Sequence, residues 1–273
     1  MGTKITRDVL ESRLRCKFKA HLKLAGVKGS KSDYEAIQLR LREEVRQMGV
    51  EKILAKHAED KVARSVPLTD TTLRAGCSFL LDANLEEDDL SLIFDGVKKV
   101  DGATKLGDFH YVPMLFHEKR KVGKEERRLL EVYALLLARI QGKVPAYGIV
   151  WHGSDGKATT VRLNSGLLSQ AQLLQELKEM AAPGSQPKLL LNDHCPMCEF
   201  KQRCHAQAVQ EDNLSLLRGI GEKEIKRHSK KGIVTVGQLS YTFRAGRSRK
   251  QAKPIAKHDY ALQARAIRKT ECW

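Results

Sequence analysis

Three of the six cysteines of this 273-residue chain fall within the single stretch CPMCEFKQRC: Cys195, Cys198 and Cys204. Two thiolates separated by two residues can close on one metal from a single turn, and Cys204 can add a third from the helix that EFKQRC is expected to begin. A fourth ligand is missing locally. Cys16, far upstream in a basic amphipathic segment, is the candidate, because four thiolates suit either zinc or an iron–sulfur cluster. His194 and His205 flank the cluster, so spacing alone also allows zinc with mixed ligands. Cys77, beside Phe79, Leu80 and Leu81, reads instead as a small buried hydrophobe. A disulfide framework is not expected, because the first residues carry no apolar export segment and a chain of this length can bury a core without staples.

The second residue with chemistry in it is Asp95. CSFLLDANLEEDDLSLIFDGVKKVDG predicts two strands joined by the acidic turn EEDD. Asp95 falls in the middle of the second, sharing a face with Ser91 and Ile93, while Leu92 and Phe94 take the other. A carboxylate there is costly unless it is paired or bound to a metal. Asp88 and Asp89 are turn residues by the same pattern.

The elements around these residues follow from periodicity. Residues 6–24 predict one helix, capped by Thr6 and striped by Val9, Leu10, Leu14, Phe18 and Leu22. Asp33 can cap a second helix that continues after a short break at Gly49 and carries His57, an isolated histidine more often of packing than of chemical use. FHYVPMLFHE is a strand whose Pro113 suggests an edge or a bulge. KEERRLLEVYALLLARIQG is an amphipathic helix stopped at Gly142. AYGIVWHG and TTVRL are short strands, LLSQAQLLQELKEMAA is another helix, and PGSQP links to the cysteines. Beyond them, LSLLRGIGEKEIKRHSKKGIVTVGQLS has the layout of a helical hairpin whose glycine-bounded helix start could hold a phosphate, or simply pack. After Phe243 a basic tail leads to a last helical patch.

The chain carries 49 Lys and Arg against 33 Asp and Glu, a formal charge of +16, with 41% hydrophobic residues. The sequence pI is about 9.6. That composition is globular, and its charge favours polyanions, with nucleic acid as the leading partner class. No apolar run approaches a membrane span. A reducing cytoplasm is the expected compartment.

With Asp95 and the cysteines in place, the order of elements resembles the RecB-like nucleases of the PD-(D/E)XK superfamily that carry a 4Fe-4S cluster, an arrangement shared with the CRISPR-associated adaptation nucleases and the AddB nuclease. One cysteine upstream of the core and three downstream in a C-x2-C-x5-C pattern match Cys16 and then Cys195, Cys198 and Cys204. The likeness covers most of residues 1–243. It implies an α/β fold: a restriction-endonuclease-like core with a mixed β-sheet flanked by helices, stapled by the cluster and followed by a C-terminal helical hairpin. The domains would be 1–212 (nuclease and cysteines), 213–243 (helix-hairpin-helix-like) and 244–273 (basic tail).

The same resemblance implies a metal-dependent DNA nuclease. Asp95 would be its first acidic ligand and Glu118 of YVPMLFHEKR its second, the two holding Mg²⁺ or Mn²⁺ that delivers water to a phosphodiester. DNA, as single strands or ends, is the implied substrate, with a helicase as a possible partner. Two positions depart from the pattern. Arg120, two residues after Glu118, stands where a lysine is expected and stays charged. Leu129 stands where a glutamine usually precedes the tyrosine that Tyr133 supplies. The alternatives are a nucleic-acid-binding module without catalysis, and a fragment of a larger nuclease-helicase.

Overall fold

The computed structural model describes residues 4–58, 61–163, 166–182, 184–244 and 259–270. The chain divides into two units, 1–187 and 188–273. The cysteine stretch thus lies in the same unit as the hairpin, and Cys16 in the other.

The first unit is built on a mixed seven-stranded sheet. In chain order the strands are β1 (Ile5–Thr6), β2 (Val62–Arg64), β3 (Phe79–Glu86), β4 (Leu90–Thr104), β5 (Gly107–His117), β6 (Tyr147–His152) and β7 (Lys157–Arg162). β2 to β7 lie side by side in sequence order, and β1 pairs with the start of β4. The β3–β4, β4–β5 and β6–β7 pairs are antiparallel, whereas β2–β3, β5–β6 and β1–β4 are parallel. Helices cover both faces. The helices are α1 (Arg7–Arg15), α2 (Lys17–Leu24), α3 (Asp33–Leu54), α4 (Asp70–Arg74), α5 (Lys124–Gln141) and α6 (Leu167–Ala181). Leu80, Leu92, Phe94 and Leu115 form one core with apolar residues of α1, α2, α4, α5 and α6. Phe79, Leu81, Met114 and Phe116 form the other with Val50 and Ile53 of α3. An α/β core with a mixed sheet between helices is what the sequence predicts.

Several local expectations are corrected. The helix expected over 6–24 is two helices, because Cys16 is extended (φ −155°, ψ 121°) and caps α2, its Sγ accepting from Lys19 N at 3.5 Å. α3 runs unbroken through Gly49 and is capped by Ser32 rather than Asp33, in a reciprocal box with Glu35. Glycine continues the helix here because the Phe116 ring leaves no space: a Cβ at Gly49 would stand 2.3 Å from its Cε1. Pro113 is not at an edge. It is buried in β5, between β4 and β6. Phe116 N points toward β4, so by alternation the Pro113 nitrogen points toward β6. The β6 ladder starts only at Met114, so the missing N–H falls at its end.

The second unit contains a short 3₁₀ turn over Cys195–Met197, then α7 (Lys201–Gln210), α8 (Glu222–Ser229), α9 (Val236–Ser240) and α10 (Tyr260–Thr270). Leu214, Leu217, Ile220, Val236 and Leu239 form its core with Ala264 of α10. The last helical patch therefore packs into the hairpin, and Tyr260 donates its hydroxyl hydrogen to Gly219 O at 2.8 Å. The basic stretch 245–258 lies outside the described residues. Among the described residues no helix is long and apolar enough to cross a membrane.

Candidate active site

The two-residue strand β1 sets the geometry. Ile5 and Thr6 pair with Leu90 and Ser91, so the chain turns into α1 directly beside β4. Thr6 caps that helix, accepting from Val9 N at 3.4 Å. Arg7, in the first turn, then reaches Asp95, and its Nη1 donates to Asp95 Oδ1. The other carboxylate oxygen, Oδ2, accepts from Phe116 N at 2.8 Å.

That second bond explains how a strand carboxylate is buried. The regular β4–β5 pairing begins at Gly96 and Met114, so Asp95 stands where the two strands part and its side chain takes the place of a ladder carbonyl. On β3, Asp82 sits opposite, between the pairs Leu81–Gly96 and Ala83–Phe94, with a left-handed backbone (φ 54°). The inward parity of both strands reverses at this point: Leu80 and Val97 on one side, Ala83 and Phe94 on the other, enter the same core. Asp95 therefore does not share the outward face of Ile93. It is 7% exposed and Ile93 is 57% exposed. Asp82 pairs with Arg46 of α3 at 2.5 Å.

Glu118 lies one residue past the end of β5. Alternation accordingly does not extend to Arg120, which is exposed in a bend with Lys119 rather than sharing a strand face with Glu118. The Glu118 side chain itself is buried. Its Oε2 accepts from Arg42 Nε of α3 at 3.3 Å and lies 3.3 Å from His117 Nδ1, while Oε1 has no hydrogen-bond partner. His117 Nε2 approaches Glu126 Oε1 to 3.1 Å but off the line of a hydrogen bond, so it is a close approach without a directed bond. Glu11 joins the two halves. It accepts from Arg7 Nε at 2.9 Å and from Arg42 Nη1 at 3.0 Å.

The result is a chain of polar contacts running Asp95, Arg7, Glu11, Arg42, Glu118, His117, Glu126. Burial alone would push the Glu11 carboxyl up, but Arg7 and Arg42 overcome it and hold it at about 2. Burial also acts upward on Glu118, and the His117 bond and charge, then Arg42, bring it to about 2. Tyr133 of α5 closes the floor, stacked on Phe94 with centroids 4.2 Å apart and donating to Ile93 O at 3.3 Å. Burial is the main reason its hydroxyl is pushed up beyond the normal tyrosine range. Leu129 lines the same cavity with Arg7, Glu11, Arg42, Phe116 and His117.

Asp95 and Glu118 are thus brought into one network. Sequence reasoning missed the residues between them. Arg7 and Glu11 are four apart directly after a cap, and Arg42 and Arg46 are four apart within α3, which marks helical faces without saying what they touch. His57 stays outside, packed on Phe79 at 4.8 Å between centroids.

Mg²⁺ or Mn²⁺ needs only one or two protein carboxylates when water and phosphate oxygens complete its shell. The partnerless Oε1 of ionised Glu118 fits that role, and Asp95 fits it by exchanging Arg7 for the ion. Among the described residues, no three His, Cys, Asp or Glu side chains already stand around one point. The thiols can be tested in the same way. Cys195 Sγ accepts from Asn192 N at 3.2 Å and Cys198 Sγ from Phe200 N at 3.5 Å, the N–H donation that stabilises metal-bound thiolates, and Cys204 is buried on α7. This donor set fits iron or zinc; Cys16 belongs to the other unit.

The chain matches no family model and no curated protein.

Proposed function

We propose that this protein is a metal-dependent nuclease of the RecB-like type, acting on DNA. The observation that carries the reading is that Asp95 of β4 and Glu118, just past the end of β5, are joined through Arg7, Glu11 and Arg42 in one buried polar network in which Glu118 Oε1 has no partner. Buried charges cost stability, and their concentration at one point of a fold is the usual mark of a chemical site. The bound ion would supply a Lewis acid and an activated water. Glu118 and Asp95 would hold it, Arg7 and Arg42 would orient the carboxylates and face the scissile phosphate's charge, and exposed Lys119, Arg120 and Lys121 would attract the strand. The cysteines would carry a structural 4Fe-4S cluster, with zinc as the alternative.

One observation favours a second reading, binding without cleavage: guanidinium groups already neutralise Asp95 and Glu11, and no lysine of the expected motif stands at position 120. Incubating the full chain with single- and double-stranded DNA over a Mg²⁺ and Mn²⁺ series separates the two. Cleavage lost in Asp95→Ala and Glu118→Ala supports the nuclease. Salt-sensitive binding with no cleavage in either metal replaces it with the binding module.

A further inference from the structure

A polar cleft between α1, α5 and α6 has no part in the carboxylate network, although Leu14 of α1 lines both. It is lined by Arg13, Arg128, Ser169, Gln170, Gln172 and Glu176. Gln170 is only 3% exposed. Its Nε2 donates to Glu131 Oε2 at 3.1 Å, but its Oε1 has no partner. Arg13 Nη2 donates to Glu176 at 2.5 Å, while its Nε is likewise buried and without a partner. Native interiors rarely leave such atoms unsatisfied, and here a spare acceptor and a spare donor line one cleft.

The neighbouring groups narrow the ligand. The space at the N-terminus of α6 is taken: Glu131 is packed so closely against Gly166 that a Cβ there would come within 2.1 Å of its Oε2. A ligand must therefore be held by the side chains of the cleft. Arg128 is exposed on α5 and has neither ion pair nor hydrogen bond among the described residues. Water can satisfy an amide oxygen but brings no charge to Arg128, and inorganic phosphate brings charge and an O–H but no ring to occupy the rest of the cleft. A nucleotide of the strand supplies phosphate oxygens for Arg128 and Arg13 together with a base N–H and carbonyl for Gln170 and Ser169.

We infer that this cleft is a nucleotide subsite, holding one phosphate and the attached nucleoside of a strand beside the carboxylate centre. The inference rests on the nucleic-acid reading above, and its test keeps the two apart. Thymidine 5′-phosphate and inorganic phosphate are titrated separately into the full chain, and binding of a labelled thymidine oligonucleotide is followed over a salt series, for wild type, Arg128→Ala and Ser169→Ala. Both substituted residues are exposed, so folding is retained. The expected result is thymidine phosphate binding that falls about tenfold in Arg128→Ala, and an oligonucleotide salt slope shallower by about 0.7. Ser169→Ala should weaken thymidine phosphate but not inorganic phosphate. No thymidine phosphate binding to wild type, or the same affinity and slope in Arg128→Ala, overturns the subsite. Equal binding of both phosphates, indifferent to Ser169→Ala, overturns its nucleoside part. Arg128-dependent thymidine phosphate binding by a protein that ignores the oligonucleotide upholds the subsite and rejects the nucleic-acid reading.

Discussion

Arg7 and Asp95 form a buried ion pair that fastens the first turn of the first helix to the point where β4 and β5 separate. The Asp95 side chain is 9% exposed and that of Arg7 22%. Removing one partner strands the other charge, so Arg7→Met should cost about 3 kcal/mol, toward the lower end for a buried pair because Arg7 keeps some solvent. Arg7→Met with Asp95→Leu should cost less than the sum of the two single changes. Urea denaturation of the four proteins measures the cycle, and additive losses would mean that the pair is not coupled.

The carboxylates beside that pair set an acid limit. Glu11 and Glu118 titrate at about 2 in the folded chain against an ordinary value of 4.5. A depressed carboxyl contributes stability that is complete above its unfolded value and disappears as pH falls through its folded one. The loss should therefore begin near pH 4.5 and continue toward pH 2, on the order of 2–3 kcal/mol for each group. Denaturant midpoints between pH 7 and pH 2.5 should fall in that window, and more gently in Glu11→Gln, which has less left to lose. A slope confined to pH 6–7 would point to the histidines instead.

Gly49 ties α3 to the same centre. Alanine would improve helix propensity by about 1 kcal/mol, but its Cβ would push on the Phe116 ring, whose backbone N–H holds Asp95 Oδ2. Overpacking of this kind costs about 1–3 kcal/mol and should win. Gly49→Ala is expected to be less stable than wild type and to shift the amide resonance of Phe116, whereas a more stable variant would show that the ring moves aside freely.

The sequence makes the core and one member of the site, Asp95, legible for a physical reason, whereas Glu118 comes from the family resemblance alone. Apolar periodicity is local, so strands β3 to β7 and helices α5 and α6 can be located from it, and a carboxylate in an apolar strand announces itself by its cost. What joins Asp95 to Glu118 is not local. Arg7 reaches Asp95 only because two residues of β1 pair with β4, and so short a strand leaves no alternation to detect. The break at Cys16 is equally hidden, since the apolar stripe continues across it while the backbone does not. Pro113 misleads because its missing donor matters only against the register of β6, which no single strand reveals. The parity reversal at Asp82 and Asp95 depends on both strands at once and is invisible in either.

The thiols give the last prediction. Cys195 and Cys198 lie on one turn with backbone N–H groups directed at their sulfurs, and Cys204 is buried three residues into the following helix. N–H donation favours the thiolate, the form that binds metal. Protein purified without oxygen should therefore retain metal, and Cys198→Ser should lose it and destabilise the second unit, because metal-binding free energy is folding free energy in so small a body. Visible absorption with iron, sulfide and zinc analysis identifies the species. About four irons per chain require a fourth ligand and make Cys16→Ser the next variant, expected to bleach the colour. About one zinc per chain, retained by Cys16→Ser, would place the whole site in the second unit and remove the staple from the nuclease reading. No metal in wild type would leave the three sulfurs as packing groups and acceptors of backbone N–H.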